Sequence, residues 1–140
     1  MKKIVVDTSV LISALIGQTG PARAVLRHCL QGYYTPMIST TLFLEYEDVT
    51  SRPHILALCP LTFDEIHKLL VAFYHVCEWE QVHYLWRPNL KDENDNFLIE
   101  LAVAANALCI VTNNVKDLIH AELIFSGVQI VTPEQLLRGL

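Results

Sequence analysis

The period of the hydrophobic pattern changes repeatedly along this chain. Ile4-Val5-Val6 is a β-branched run without polar alternation, as expected of a strand buried on both faces. Gly20-Pro21 suits a helix start. Apolar residues then recur at Ala22, Val25, Leu26, Cys29 and Leu30, and Gly32 closes the segment. Tyr34 to Ile38 predicts a second strand, and Ser39-Thr40 caps a helix running through Glu45 to about Val49. Thr62-Phe63-Asp64-Glu65 has the form of a capping box, followed by a helical face of Ile66, Leu69, Leu70, Phe73 and Cys77. Val82 to Leu85 reads as a short strand. Asp92 to Asp95 is a polar turn entering an apolar helix, Phe97 to Ala107. Leu108 to Val111 and Val128 to Val131 predict two more buried strands, and Thr132-Pro133-Glu134-Gln135 is a second capping box opening the last helix.

Strands and helices in alternation, with strands of this kind, predict an α/β protein whose parallel sheet is covered on both faces. In such sheets ligands bind beyond the carboxyl ends of the strands, near a topological switch point. Polar residues just after the strands are therefore where chemistry is expected.

Composition narrows the class. At 140 residues the chain has room for one domain, taken as residues 1–140, with no repeat, linker or composition shift. Apolar residues make up 52% and charged residues 18%, which excludes a disordered or low-complexity protein. A net charge of −5 leaves no global positive field for a polyanion, so such a partner must meet a local patch or a bound cation. Cys29, Cys59, Cys77 and Cys109 are scattered, with apolar flanks at Cys29 and Cys109, and read as free thiols of a reducing compartment. Histidines show no metal-ligand spacing. Asp7 interrupts what would be a signal-peptide core, and Asn106 interrupts an apolar run, Leu101 to Val111, far short of the roughly 20 residues of a membrane span. A cytoplasmic location with no membrane contact is expected.

The acids stand out against this background. Asp7 directly follows the first strand and reads equally as a helix N-cap or as part of a site. Glu45 shares a helix face with Leu42, Tyr46 and Val49, whereas Glu47 and Asp48 point elsewhere. A carboxylate on an apolar face needs a cation or a proton; Arg23 or Arg27 is one candidate partner and a metal is the other. Asp92 and Asp95 suit a helix N-terminus, and Asp95 also lies over Leu98, Ala102 and Ala105 on one face. Thr112-Asn113-Asn114 again sits just past a strand. Acids converging from separate segments need a counter-charge, and a hard divalent cation, Mg²⁺ or Mn²⁺, suits oxygen donors.

At this point the chain resembles the PIN-domain family, metal-dependent ribonucleases that include VapC-type toxins of toxin–antitoxin pairs. Ile4-Val5-Val6-Asp7-Thr8-Ser9-Val10-Leu11-Ile12-Ser13-Ala14 resembles the family's first strand, acid and small hydroxyl. Leu44-Glu45-Tyr46-Glu47-Asp48-Val49 with Arg52-Pro53 resembles its second acidic segment, and Asp92-Glu93-Asn94-Asp95-Asn96 leading into Ile99-Glu100-Leu101-Ala102 its third. Ile110-Val111-Thr112-Asn113-Asn114 with Lys116-Asp117-Leu118 resembles the fourth, and Val131-Thr132-Pro133-Glu134 a frequent ending. The resemblance implies a three-layer α/β/α sandwich with a central parallel sheet. It implies metal ligation by Asp7, Glu45 and Asp95, with Asp92 and Asn114 completing the shell. Thr8, Ser9 and Thr112 would orient a carboxylate or water. The implied reaction is hydrolysis of RNA phosphodiester bonds with Mg²⁺ or Mn²⁺, in the toxin of a type II pair whose partner is a cognate antitoxin. Arg52, Arg87, Lys91 and Lys116 read as RNA-backbone contacts or as solvated surface charge. Asn96 and Asn114 depart from the family, which often has Asp there; an amide ligates without charge, so the cation would be held less tightly.

Two other classes remain open. A catalytically weakened binding module on the same fold follows from Asn96 and Asn114. A Mg²⁺-binding phosphoacceptor receiver domain would need adjacent acids after the first strand, where Asp7 stands alone, and Ser9 rules out an Asp-x-Asp phosphatase. Tyr33-Tyr34, Phe43, Trp79, Tyr84 and Trp86 read either as core or as a homodimer or antitoxin interface.

Overall fold

The computed structural model describes residues 2–82, 96–118 and 127–139. The apolar runs become the parallel strands β1 (Lys2–Val6), β2 (Tyr34–Ile38), β4 (Cys109–Val111) and β5 (Gln129–Val131); β3 is Glu78–Trp79. The helices are α1 (Thr8–Ile16), α2 (Pro21–Leu30), α3 (Thr40–Thr50), α4 (Pro53–Leu58), α5 (Phe63–Val76), α6 (Asn96–Ala105) and α7 (Pro133–Arg138).

The five strands run parallel in the order β3-β2-β1-β4-β5. From β1 the chain steps through β2 to β3 in one direction, then returns across the sheet to β4 and continues to β5. Right-handed crossovers therefore place the helices of the two halves on opposite faces, giving an α/β/α arrangement. On one side α2 packs against β2, α1 and α5; α6 packs against β1, β2 and β4. The reversal falls between β1 and β4, where Val5 pairs with Ile110 and Val6 with Val111. Ile4, Val5, Ile110 and Val111 are fully buried, which explains their uninterrupted apolar pattern.

Local signals hold well. Ser39 accepts a hydrogen bond from the Leu42 amide at 3.2 Å. Both capping boxes are reciprocal, Thr62 with Glu65 and Thr132 with Gln135. Asn106 takes a left-handed conformation (φ 54°), and the Ala107 amide donates to the Ala102 carbonyl at 2.9 Å. That 6→1 bond ends α6 and turns the chain into β4.

Three elements differ from the sequence reading. A strand not expected from the sequence, β3, forms where Glu78-Trp79 reach Met37-Ile38. Both β3 residues are exposed, so no buried run announces the strand. Of the strand expected at 82–85, residues 83–85 lie outside the described residues. Helix α1 escapes periodicity because TSVLISALI is apolar almost all round. Helix α4 is one short segment opened by Pro53, with no buried residue.

Candidate functional site

The carboxyl ends of β1 and β4 carry Asp7 and Thr112 at the switch point. The backbone joins them first: the Asp7 amide donates to the Val111 carbonyl at 2.9 Å, and the Thr112 amide to the Val131 carbonyl at 2.9 Å. Asp7 occupies the N-cap position of α1, yet its side chain makes no capping hydrogen bond. Instead, Oδ2 accepts two hydroxyls, Thr112 Oγ1 at 2.6 Å and Ser9 Oγ at 3.0 Å. A carboxylate used only as a cap would bond the amides of the first turn; this one is held by side chains from two separate segments.

Those hydroxyls are themselves ordered. The Asn114 amide donates to Thr112 Oγ1 at 2.9 Å and the Asn113 amide to Ser9 Oγ at 3.2 Å. Each hydroxyl accepts from a backbone N–H, which aims its single proton at Asp7. Thr8, at the first position of α1, is buried, and its Oγ1 has no hydrogen-bond partner among the described residues.

Glu45 approaches from α3, which packs against α1. Of the expected face, Leu42 and Tyr46 are buried and Val49 and Glu45 half-buried, while Glu47 and Asp48 are exposed; Thr50 is buried as well. The exposed acids have surface partners, Glu47 accepting the Tyr74 hydroxyl at 2.7 Å and Asp48 pairing with Arg52 at 2.7 Å. Next to Glu45, Tyr46 is 1% exposed and its hydroxyl donates to the carbonyl of Val6, the residue preceding Asp7. Burial first, then the nearby Cys77 and Asp7, pushes the Tyr46 phenol well above its ordinary pKa, so it remains a donor. One buried bond thus ties the helix that carries Glu45 to the end of β1.

Arg23 donates to the Ala14 carbonyl near the end of α1, and Arg27 is exposed. Arg52 is exposed in its pair with Asp48. Asn114 and Lys116 are exposed beyond β4, Lys116 within a helical turn over residues 115–118. Asp92, Asp95, Arg87 and Lys91 lie outside the described residues, as do Tyr84, Trp86 and the side chain of Asn96. Of the other aromatics, Phe43 packs against Tyr74 and Trp79, and Tyr33 and Trp79 are 64% and 51% exposed. Asn113, which carries no signal of a role in the sequence, donates its side-chain amide to Ser9 O at 3.2 Å and Ser13 Oγ at 2.9 Å. Asp117 is an exposed acid whose amide closes the turn onto the Asn114 carbonyl at 3.1 Å.

The donors at this rim are oxygen atoms of carboxylates, hydroxyls and amides. That chemistry fits Mg²⁺ or Mn²⁺ rather than zinc, and the buried Thr8 hydroxyl leaves polar capacity there. Among the described residues no three His, Cys, Asp or Glu side chains cluster as a metal site.

A family model described as PIN domain matches residues 3–116. The chain belongs to the PIN-domain family. PIN domains are generally nucleases, and the match spans β1 through β4, with Asp7, Glu45 and Thr112 inside it. Among solved structures, the PIN domain here is similar to a chain in the crystal structure of VapBC2 from Rickettsia felis bound to a DNA fragment from their promoter. Sequence identity is 17% and the TM-score 0.56, over 91% of this chain and 96% of that one. At that identity the likeness is one of fold. No curated relative matches significantly. Among the described residues, no helix is long and apolar enough to cross a membrane.

Proposed function

We propose that this PIN domain is a metal-dependent endoribonuclease hydrolysing RNA phosphodiester bonds, the toxin of a type II toxin–antitoxin pair. The observation that carries the reading is the double hydroxyl grip on Asp7 Oδ2 at the switch point of the sheet. Asp7 and Glu45 would hold Mg²⁺ or Mn²⁺ together with Asp95, with Asp92 and Asn114 completing the shell. When bound, the cation supplies a water of lowered pKa and positive charge for the transition state. The chain's own part is positional. Thr112 and Ser9 fix the rotation of the Asp7 carboxylate, and Tyr46 holds α3, with Glu45, against β1. Thr8 offers a hydroxyl at the same helix start. In the hydrolysis, water would add its oxygen to phosphorus as one P–O ester bond breaks and a proton passes to the leaving sugar oxygen, giving two RNA fragments.

Lys116 and Arg52, both exposed, with Arg87 and Lys91, would meet the RNA backbone, where contacts to phosphates position the strand. A cognate antitoxin is the expected protein partner, as the similarity to VapBC2 supports. Tyr33 and Trp79, exposed aromatics, are the residues to examine for that contact or for a homodimer.

The test is cleavage of a mixed single-stranded RNA by purified protein with Mg²⁺ or Mn²⁺, beside Asp7→Asn and EDTA controls. Cleavage that needs both cation and Asp7 supports the nuclease. Folded, inhibitor-free protein that cleaves nothing would favour the binding module, since Asn114 brings no charge and bonds the rim through its backbone amide.

A further inference from the structure

The loop after β4 is bolted to α1 more firmly than a connection requires. Asn113 reaches α1 at three points: its backbone amide to Ser9 Oγ at 3.2 Å, and its side-chain amide to Ser9 O at 3.2 Å and Ser13 Oγ at 2.9 Å. These residues lie about a hundred positions apart in sequence, on either side of the crevice between β1 and β4. Asn113 is exposed and contributes nothing to the core. Ser13, one helical turn beyond Ser9, receives the amide on the same side of α1.

The consequence runs through hydrogen-bond polarity. With its lone pairs facing the Asn113 amide, Ser9 Oγ directs its proton to Asp7 Oδ2; Thr112 Oγ1, facing the Asn114 amide, does the same. Two donors on Oδ2 set the rotation of the carboxylate and leave Oδ1 out of both bonds. If the loop moved away from α1, the Ser9 bond would lose its orienting partner and Asp7 would rotate more freely.

We propose that Asn113 is a positioning residue: it clamps the post-β4 loop to α1 and thereby presents Asp7 with its Oδ1 side turned to the cation. This rests on the cation-holding reading of Asp7 above. Asn113 touches neither the reacting atoms nor the cation. A glycine or other short residue would close the same turn and keep the backbone-amide bond to Ser9 Oγ, but would lose the two side-chain bonds to Ser9 O and Ser13 Oγ.

The test is Mn²⁺ titration by calorimetry on wild type, Asn113→Ala and Ser13→Ala, with thermal melts of the same proteins in chelator. Two exposed side-chain hydrogen bonds correspond to an affinity loss of about three- to tenfold in Asn113→Ala. Ser13→Ala, which removes one of the two, should fall between it and wild type. The melts should stay within about 3 °C, because the residue is exposed and apolar packing is untouched. A wild type that binds Mn²⁺ with an Asn113→Ala protein of equal affinity would overturn the proposal and leave the cation reading standing. So would an affinity loss matched by a large drop in chelator melting temperature, since that would be loss of fold. A wild type that takes up no Mn²⁺ would overturn both.

Discussion

The β1–β4 seam ends in two different ways. At its carboxyl end, Asp7, Ser9, Thr112 and Asn113 form a continuous hydrogen-bonded set that draws on both strands. At its amino end, the Leu108 amide reaches the Lys3 carbonyl at 2.8 Å, and an open cavity of about 470 Å³ is lined by residues including Lys2, Lys3, Asn106 and Leu108. The amino end has an open cavity with no convergent set of acids among its described lining, and the carboxyl end has the convergent polar groups. A cavity alone is therefore a poor guide here. What marks a site is groups from distant segments aimed at one another, and a parallel sheet gathers those where its strands end.

The sharpest way to break this contrast is to alter one residue at each end. Asp7→Asn should lower RNA cleavage by about 100-fold or more, judged against the 10- to 100-fold losses that supporting residues of metal sites cause. Lys2→Ala, at the opposite end, should leave the rate within about twofold; equal losses would erase the distinction. The seam's anchoring to α3 is tested by Tyr46→Phe. Removing a fully buried hydroxyl and stranding its acceptor should cost about 1–2 kcal/mol, seen as a fall of about 3–6 °C in a thermal melt. Cleavage should fall as well, because the helix that carries Glu45 loses its tie to Val6.

Solution pH probes the burial of the sheet and of the helices packed on it. Burial pushes the thiols of Cys29 and Cys109 up to about 12, whereas the unfolded chain releases these protons near 9. The folded state then holds more protons between those values, so stability is fully present below about 9 and declines as pH rises toward 12. A urea midpoint lower at pH 10 than at pH 8 would show it, and alkylation of Cys29 at pH 8 should wait for unfolding. The smallest expected effect is in a capping box far along the chain from the seam. Thr62→Ala should cost about 1 kcal/mol and leave cleavage unchanged, which a denaturant curve and a rate assay on one preparation would establish.

Much of this was legible because its causes are local. A β-branched run is buried whatever its neighbours, and Thr62 caps with Glu65 from three residues away. Glu45 could be singled out from Glu47 and Asp48 because a helix face is a property of spacing. The features that escaped depend on tertiary pairing. Strand β3 exists because Met37-Ile38 offer it an edge, and neither Glu78 nor Trp79 carries a buried-strand signal. Helix α1 lacked a period because five of its nine residues are buried, on more than one face. Asn113 looked like one more loop amide, since its partners Ser9 and Ser13 lie a hundred residues upstream. The third acidic segment, with Asp92 and Asp95, lies outside the described residues, so its convergence with Asp7 stays within the proposal.

The central place of β1 in the sheet also sets a timetable. Asp7 emerges first from the ribosome, but the hydroxyl of Thr112 that grips it lies 105 residues later. At about 5–20 residues per second, synthesis separates the two by several seconds or more. During that interval β1 has no β4 to pair with, and Asp7 has no second hydroxyl. A nascent chain cannot own the finished rim, so whatever chemistry the rim performs begins only after synthesis has passed Thr112.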